Sequence, residues 1–332
     1  MGHSARGRRA LTTAAVLAAT ITTVLTSGCT TAHRPGDDGR GKNQAPTPTV
    51  GARVSEAPRA AGPVLAVKID NVRAARPQTG LDTADVVYAE QVEGGLSRLM
   101  AVYASRLPRA VGPVRSARES DLELLRQFDR PTLAFSGAQH KLLPLIGRAP
   151  LLPRTPDNTS GAYYRDGAGP APHNLYLRPD RLMPSAPGAA ALTTGFRYGP
   201  APGGGSPETS RTVRYPAARF TFTWSAERGR WLVAMDGTPA TTADGGRVAP
   251  ATVVVQYVTV RPSAFHDVLG STTPYTGTVG SGTARVLRDG RVYDATWKRP
   301  SATAGTEFNT TDGAPMPFAR GQVWVVFARA GS

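Results

Sequence analysis

The chain has 332 residues, with 39 Lys and Arg against 24 Asp and Glu, which gives a formal charge of +15. A hydrophobic content of 40% is enough for a folded core, and the single cysteine excludes both a disulfide framework and a cysteine-cluster metal site. All but four of the basic residues are arginine and they are scattered, so we predict no nucleic-acid partner. We also predict no cofactor, because the sequence contains no Walker loop, HExxH motif or EF-hand loop.

The N-terminus has the pattern of an export signal. Arg6, Arg8 and Arg9 precede an uncharged apolar stretch over 10–27, and Cys29 follows at once. We predict a lipoprotein signal peptide over 1–28, cleavage before Cys29, and diacylation of that thiol with palmitate-type chains. The expected location is the extracytoplasmic face of the cell membrane. Ordinary secretion or an uncleaved anchor is the alternative, because Thr26 stands where Leu is usual three residues before the cysteine.

Residues 29–62 are rich in Pro, Gly, Thr and Ala without hydrophobic periodicity, which predicts a flexible tether. The next part, over 63–200, alternates short apolar strands (64–69, 85–90, 99–104 and 132–135) with helical patterns at 119–129 and 138–146. This alternation predicts an α/β or α+β domain with a layered sheet and helices. A Gly- and Pro-rich linker then occupies 199–210.

Beyond the linker the apolar period changes to two. Phe220, Phe222 and Trp224 alternate with polar residues, and Asp289-Gly290 is a hairpin signal between two further strand patterns. We therefore predict a mostly antiparallel β-domain over 211–330, without a helix.

Polar residues that could carry chemistry follow the strands of the first part. Lys68, Asp70 and Asn71 come at the end of the first strand, where α/β folds gather functional groups. Glu90 and Glu93 flank the end of the second strand beside Gly94-Gly95, and paired carboxylates could act as acid and base.

Basic residues supply the other half of the predicted site. Arg98 follows the glycines, and a Gly-Pro loop delivers Arg115 and Arg118 to a predicted helix start, where an anion is favoured. His173, after a second glycine-rich loop, is a candidate base or ligand. The alternative is that these charges only pair with one another inside the fold.

Several ordered stretches carry a resemblance to a known family. They are VKIDN (67–71), ARPQTGL (75–81), ADVVY (84–88), EGG (93–95), GPVRSAR (112–118), PHNLY (172–176), VVVQ (253–256), GSGTA (280–284) and TWKR (296–299). Across 62–330 the sequence resembles the YerB-like bacterial lipoproteins, a two-domain family of unknown function. The resemblance implies a layered α/β fold and a lipid anchor at Cys29. Residues 231–240 lack the Arg and His of the family's second domain, so the candidate site is placed in the first.

Two functional hypotheses follow. The first is a non-catalytic envelope lipoprotein that binds an anionic or polyol ligand, such as a cell-wall polymer, or a wall-synthesis protein. Its ligand-binding residues would be Lys68, Asp70, Asn71, Arg98, Arg115 and Arg118. The second is a hydrolase or transferase acting on the envelope, with Glu90 or Glu93 and His173 as acid and base.

Overall fold

The computed structural model describes residues 62–167, 169–267 and 270–331, so the predicted signal peptide, Cys29 and nearly all of the tether lie outside the described residues. The first half contains short strands and two short helices, α1 (Glu119–Leu125) and α2 (Leu143–Arg148). The strands are β1 (Leu65–Asp70), β2 (Val86–Gln91), β3 (Ser97–Tyr103), β4 (Thr132–Ala134), β5 (Leu152–Arg154), β6 (Tyr163–Arg165) and β7 (Leu175–Leu177).

The second half of the described chain is built from strands and turns. The strands are β8 (Ser206–Pro207), β9 (Ser210–Tyr215), β10 (Ala218–Ser225), β11 (Arg230–Met235), β12 (Thr238–Pro239), β13 (Thr252–Val258), β14 (Val260–His266), β15 (Thr272–Thr276), β16 (Gly280–Arg288), β17 (Arg291–Arg299), β18 (Glu307–Thr310) and β19 (Val323–Arg329).

One mixed sheet of eleven strands contains strands from both halves of the sequence. Its order is β18-β17-β16-β13-β19-β2-β3-β1-β4-β5, and β8 pairs with β17. The last strand, β19, lies parallel between β13 and β2, with Val323 opposite both Thr252 and Val86. The two predicted parts are therefore joined edge to edge through β19.

Both faces of this sheet are covered, which explains why all six residues of β1 are buried. Leu65, Val67 and Ile69 face a core that includes Phe220 and Phe222 of β10, from a separate four-stranded sheet in the order β12-β11-β10-β9. On the opposite face, alternate residues of the strands pack against the apolar side of α1 and against the second-half strands.

The molecule is mostly β-sheet, and the predicted layer of helices in the first part is reduced to two short segments. The helical pattern over 119–129 gives a helix that ends at Leu125, and the chain then continues in turns that include a left-handed Arg130 (φ 43°). In the pattern over 138–146 the α-helix begins only at Leu143, since Pro144 favours the first turn of a helix.

Candidate functional site

The candidate site begins with a row of charged side chains across three neighbouring strands. Asp70 of β1 lies opposite Arg98 of β3, and Arg98 lies opposite Glu90 of β2. Lys68 is two residues before Asp70 and therefore faces the same side of the sheet, toward α1. The sheet register thus places four of the predicted residues on one face, at the end where β1 and β2 finish.

Lys68 forms the centre of a buried ion cluster. Its side chain is fully buried, and Nζ donates to Glu90 Oε1 and to Asp121 Oδ1, the latter at 2.7 Å. One ammonium thus serves two carboxylates. Burial, followed by the repulsion of Asp121, raises the pKa of Glu90 to about 7 despite the attraction of Lys68. This cluster satisfies Lys68 internally and leaves it no free donor direction toward solvent.

Glu93 is held by a two-pronged arginine contact. Arg118 donates from Nε to Oε1 at 2.7 Å and from Nη2 to Oε2 at 2.8 Å, and the hydroxyl of Thr273 also donates to Oε1. Burial alone would raise the pKa of Glu93, but the hydrogen bonds and charge of Arg118 outweigh it, so the pKa is lowered. Glu93 is therefore an ionised acceptor and has the protonation state of a base rather than an acid.

Asp70 connects His173 with Arg115. Asp70 is 1% exposed, and its Oδ2 lies 2.8 Å from His173 Nδ1 and 3.0 Å from Arg115 Nε. The Arg115 contact is an ion pair without an aligned hydrogen bond, since the Nε–H has no hydrogen-bond acceptor among the described residues. The two sequence-distant residues, His173 and Arg115, are thus brought together by a buried carboxylate.

Arg98, Arg115 and Arg118 line a cavity of about 350 Å³. Its walls are the loop that leads into α1 and the hairpin of β14 and β15, and its lining also includes Glu93, Glu119 and Asp267. Arg98 donates from Nη1 to the Ser116 carbonyl at 3.2 Å. Burial, together with the smaller effects of the Arg118 and Arg115 charges, lowers the pKa of Arg98 to about 10, although Asp70 and Glu93 act in the opposite direction.

Asn71 does not join this group. Its amide donates to Ser97 Oγ at 2.9 Å, and its Oδ1 accepts from Gln78 at 2.8 Å and from Arg76 at 3.2 Å. These bonds use the side chain to fix the turn after β1, so in this structure Asn71 supports the loop and does not line the arginine cavity.

The acid and base pairing required by the enzyme hypothesis is not what the geometry offers. Among the described residues, Glu90 is hydrogen-bonded to Lys68 and Glu93 to Arg118 and Thr273, while His173 is bonded to Asp70. Neither glutamate is hydrogen-bonded to His173.

Two members of the site were not predicted from the sequence. Asp121 lies in the first turn of α1, where its Oδ2 also accepts the Arg118 backbone N–H at 2.7 Å, so this donor is unavailable to an anion. The sequence did offer a signal for Asp121, because it is an acidic residue beside the apolar positions of the helical pattern. Thr273 comes from the second half of the chain, and no local pattern connects it with Glu93.

Within the described ranges, no group of three His, Cys, Asp or Glu side chains is arranged to hold a metal ion. The same residues include no helix that is both long and apolar enough to span a membrane.

Comparison with known proteins gives a consistent family assignment. Residues 49–192 match the family model described as "Protein of unknown function (DUF3048) N-terminal domain", and residues 211–325 match the corresponding C-terminal domain. The chain is 33% identical over 122 residues to "Putative lipoprotein YerB" of Bacillus subtilis (strain 168), an alignment that spans 37% of each protein.

A solved structure shares the fold. The crystal structure of YerB protein from Bacillus subtilis superposes with a TM-score of 0.65 at 21% identity, covering 80% of this chain and 90% of that one. The predicted family resemblance is thereby confirmed, and the chain belongs to the two-domain family of unknown function whose N- and C-terminal domains it carries in order.

Proposed function

We propose that this protein is a lipid-anchored envelope protein that binds an anionic group in the cavity lined by Arg98, Arg115 and Arg118. The observation that supports this most is the convergence of three guanidinium groups on one cavity of about 350 Å³. Cavities of this size accommodate small ligands or one residue of a polymer.

The contacts of these arginines with other protein groups leave some of their N–H donors unused. Arg118 is committed to Glu93 through two nitrogens. Among the described residues, the Nη nitrogens of Arg115 have no hydrogen-bond acceptor, and Arg98 uses a single nitrogen on a carbonyl. An anion between Arg98 and Arg115 would receive charge-assisted hydrogen bonds and would also relieve the repulsion that lowers the pKa of Arg98.

The ligand class follows from the site and the charge of the whole chain. Removal of Arg6, Arg8 and Arg9 with the signal peptide lowers the formal charge from +15 to +12, so the mature protein is basic. A basic body held at a membrane is attracted to anionic wall polymers. Glu119 and Asp267 in the lining suit a ligand that carries polar groups besides its anion. A wall-synthesis protein with an exposed carboxylate is the other partner class that such a site fits.

Binding is tested with methyl phosphate as the anion, using calorimetry on the detergent-solubilised full-length protein. Arg115→Lys keeps the positive charge but loses the planar fork, so we expect methyl phosphate affinity to fall about 10- to 100-fold, with an unchanged melting temperature. Arg285→Lys, at a surface ion pair with Asp294, is the matched control and should bind normally. Equal affinity in the wild type and Arg115→Lys would count against an anion site.

Anchoring is tested separately at Cys29. The relative named above is described as a lipoprotein, and we propose the same attachment for this chain. Cys29→Ser should abolish incorporation of labelled palmitate and either release the protein or leave an uncleaved precursor. Mature-sized Cys29→Ser protein that still fractionates with membranes would contradict acylation at this residue.

A further inference from the structure

Three segments of backbone meet beside the arginine cavity and fix the positions of Asp70, Arg115 and His173. The Asp70 N–H donates to the Pro113 carbonyl at 2.9 Å, and the Arg115 N–H donates to the Lys68 carbonyl at 2.8 Å. The next segment is attached in the same way, since the Val114 N–H donates to the Leu175 carbonyl at 2.6 Å. The three side chains therefore extend from a hydrogen-bonded framework and not from independent loops.

The contact between His173 and Asp70 determines which ring nitrogen faces outward as an acceptor. An ionised carboxylate can only accept hydrogen bonds, so the proton between Asp70 Oδ2 and His173 Nδ1 must be on the nitrogen. In the neutral imidazole, Nε2 then carries a lone pair. Among the described residues Nε2 has no hydrogen-bond partner, and the His173 side chain is 22% exposed, so the imidazole is partly open to solvent beside Arg115.

Arg115 provides hydrogen-bond donors next to the acceptor of His173. Its Nε and His173 Nδ1 contact the same oxygen of Asp70, so the guanidinium and the imidazole lie side by side on one carboxylate. The open Nη groups of Arg115 are donors in a planar fork, whereas the open His173 Nε2 is an acceptor. A bare anion would satisfy the fork and leave His173 Nε2 without a partner among the described residues or the ligand.

Resting on the proposed function, we infer that the site selects an anion that carries a hydroxyl group close by, as in the phosphate of a polyol or sugar. The Arg115 fork binds the phosphate oxygens, and the ligand hydroxyl donates to His173 Nε2. Asp70 is a positioning residue in this scheme, because it fixes the imidazole tautomer and the guanidinium direction without touching the ligand.

The test compares three probes on the detergent-solubilised full-length protein by calorimetry. Glycerol 1-phosphate has both groups, methyl phosphate has the anion alone, and glycerol has hydroxyls alone. We expect glycerol 1-phosphate to bind about tenfold more tightly than methyl phosphate, the contribution of one additional hydrogen bond, and glycerol not to bind measurably.

Variants at His173 separate this inference from the anion site itself. His173→Phe should bring the two phosphates to equal affinity, because phenylalanine has no acceptor for the ligand hydroxyl. His173→Gln, whose amide oxygen can still accept, should recover part of the preference and provides the measurement if His173→Phe does not fold. His140→Phe, at an exposed position, is the control and should retain the full preference.

The outcomes are distinguishable. Equal binding of the two phosphates by the wild-type protein overturns the hydroxyl-selective site and leaves the anion site standing. A tenfold preference that persists in both His173 variants also overturns it. Failure of both phosphates to bind the wild type refutes the proposed anion site and this inference together. Loss of the preference in His173→Phe but not in His140→Phe supports the inference.

Discussion

Replacement of Glu90 by Gln tests the electrostatics of the buried ion cluster. Lys68 is fully buried between Glu90 and Asp121, so the folded protein holds two carboxylates around one ammonium. Glutamine has nearly the same shape as glutamate, and its amide oxygen can still accept from Lys68. Lys68 and Asp121 would then remain as a neutral pair, so we expect Glu90→Gln to fold.

The magnitude follows from the pKa of Glu90. Burial and then the Asp121 charge raise this pKa from 4.5 to about 7 in the folded protein. Because the folded state binds the proton more tightly than the unfolded state, Glu90 stabilises the fold at low pH, and this contribution is lost as the pH rises from about 4.5 through 7. The shift corresponds to about 3 kcal/mol of unfolding free energy.

Urea unfolding of the wild type and Glu90→Gln at pH 5 and pH 8 measures this contribution. Other groups titrate equally in both proteins. We therefore compare, for each protein, the change in unfolding free energy between pH 5 and pH 8. We expect the wild type to lose about 2–3 kcal/mol more than Glu90→Gln between these pH values, since pH 5 already lies above the unfolded pKa of glutamate. Glu227→Gln, at an exposed turn, should behave like the wild type. Parallel pH dependences for wild type and Glu90→Gln would refute the reasoning.

Three further substitutions give direct tests. Lys68→Met leaves two buried carboxylates without their cation, so the unfolding free energy should fall by about 3–5 kcal/mol in urea, whereas the exposed Lys298→Met should have little effect. Gly112→Ala would place a Cβ 2.7 Å from Tyr176 Cδ1 and should lower the unfolding free energy by about 1–3 kcal/mol. Gly147→Ala, where the Cβ meets no neighbour within 4 Å, should have little effect. Equal stability of the two variants would show that the loop at Gly112 adjusts to the added methyl group. Thr273→Val removes the hydroxyl that donates a hydrogen bond to Glu93, so the unfolding free energy should fall by about 1 kcal/mol and the melting temperature with it. An unchanged melting temperature would mean that this hydrogen bond makes no net contribution to stability.

Local patterns predicted many elements because periodicity reflects which side chains are buried. The alternation of Phe220, Phe222 and Trp224 predicted β10, and the apolar run from Val64 predicted β1 within one residue at each end. The helical pattern over 119–129 predicted α1 and its start at Glu119, but the length was overestimated, since the helix ends at Leu125. Strand pairing was not predictable, since β19 and β2 are separated by more than 230 residues and no local signal joins them.

The candidate site was also predictable only in its local features. Charged residues at strand ends predicted which side chains would gather, and the structure brings Lys68, Asp70, Glu90 and Arg98 onto one face of the sheet. Which acid pairs with which base could not be predicted, because partners such as Asp70 and His173 are 103 positions apart. The choice depends on the register of β1, β2 and β3 and on the path of the loop after Val111, which only long-range contacts determine.

The position of β19 has a consequence for the order in which the chain can fold. This strand is synthesised after both of its neighbours, yet it lies between them in the large sheet, with β13 on one side and β2 on the other. Until it arrives, β2 and β13 each present an open row of backbone N–H and C=O groups, the kind of edge that pairs with other chains. A nascent or truncated chain that stops before Val323 therefore has two unpaired strand edges, which we expect to favour aggregation until this seven-residue strand pairs with both.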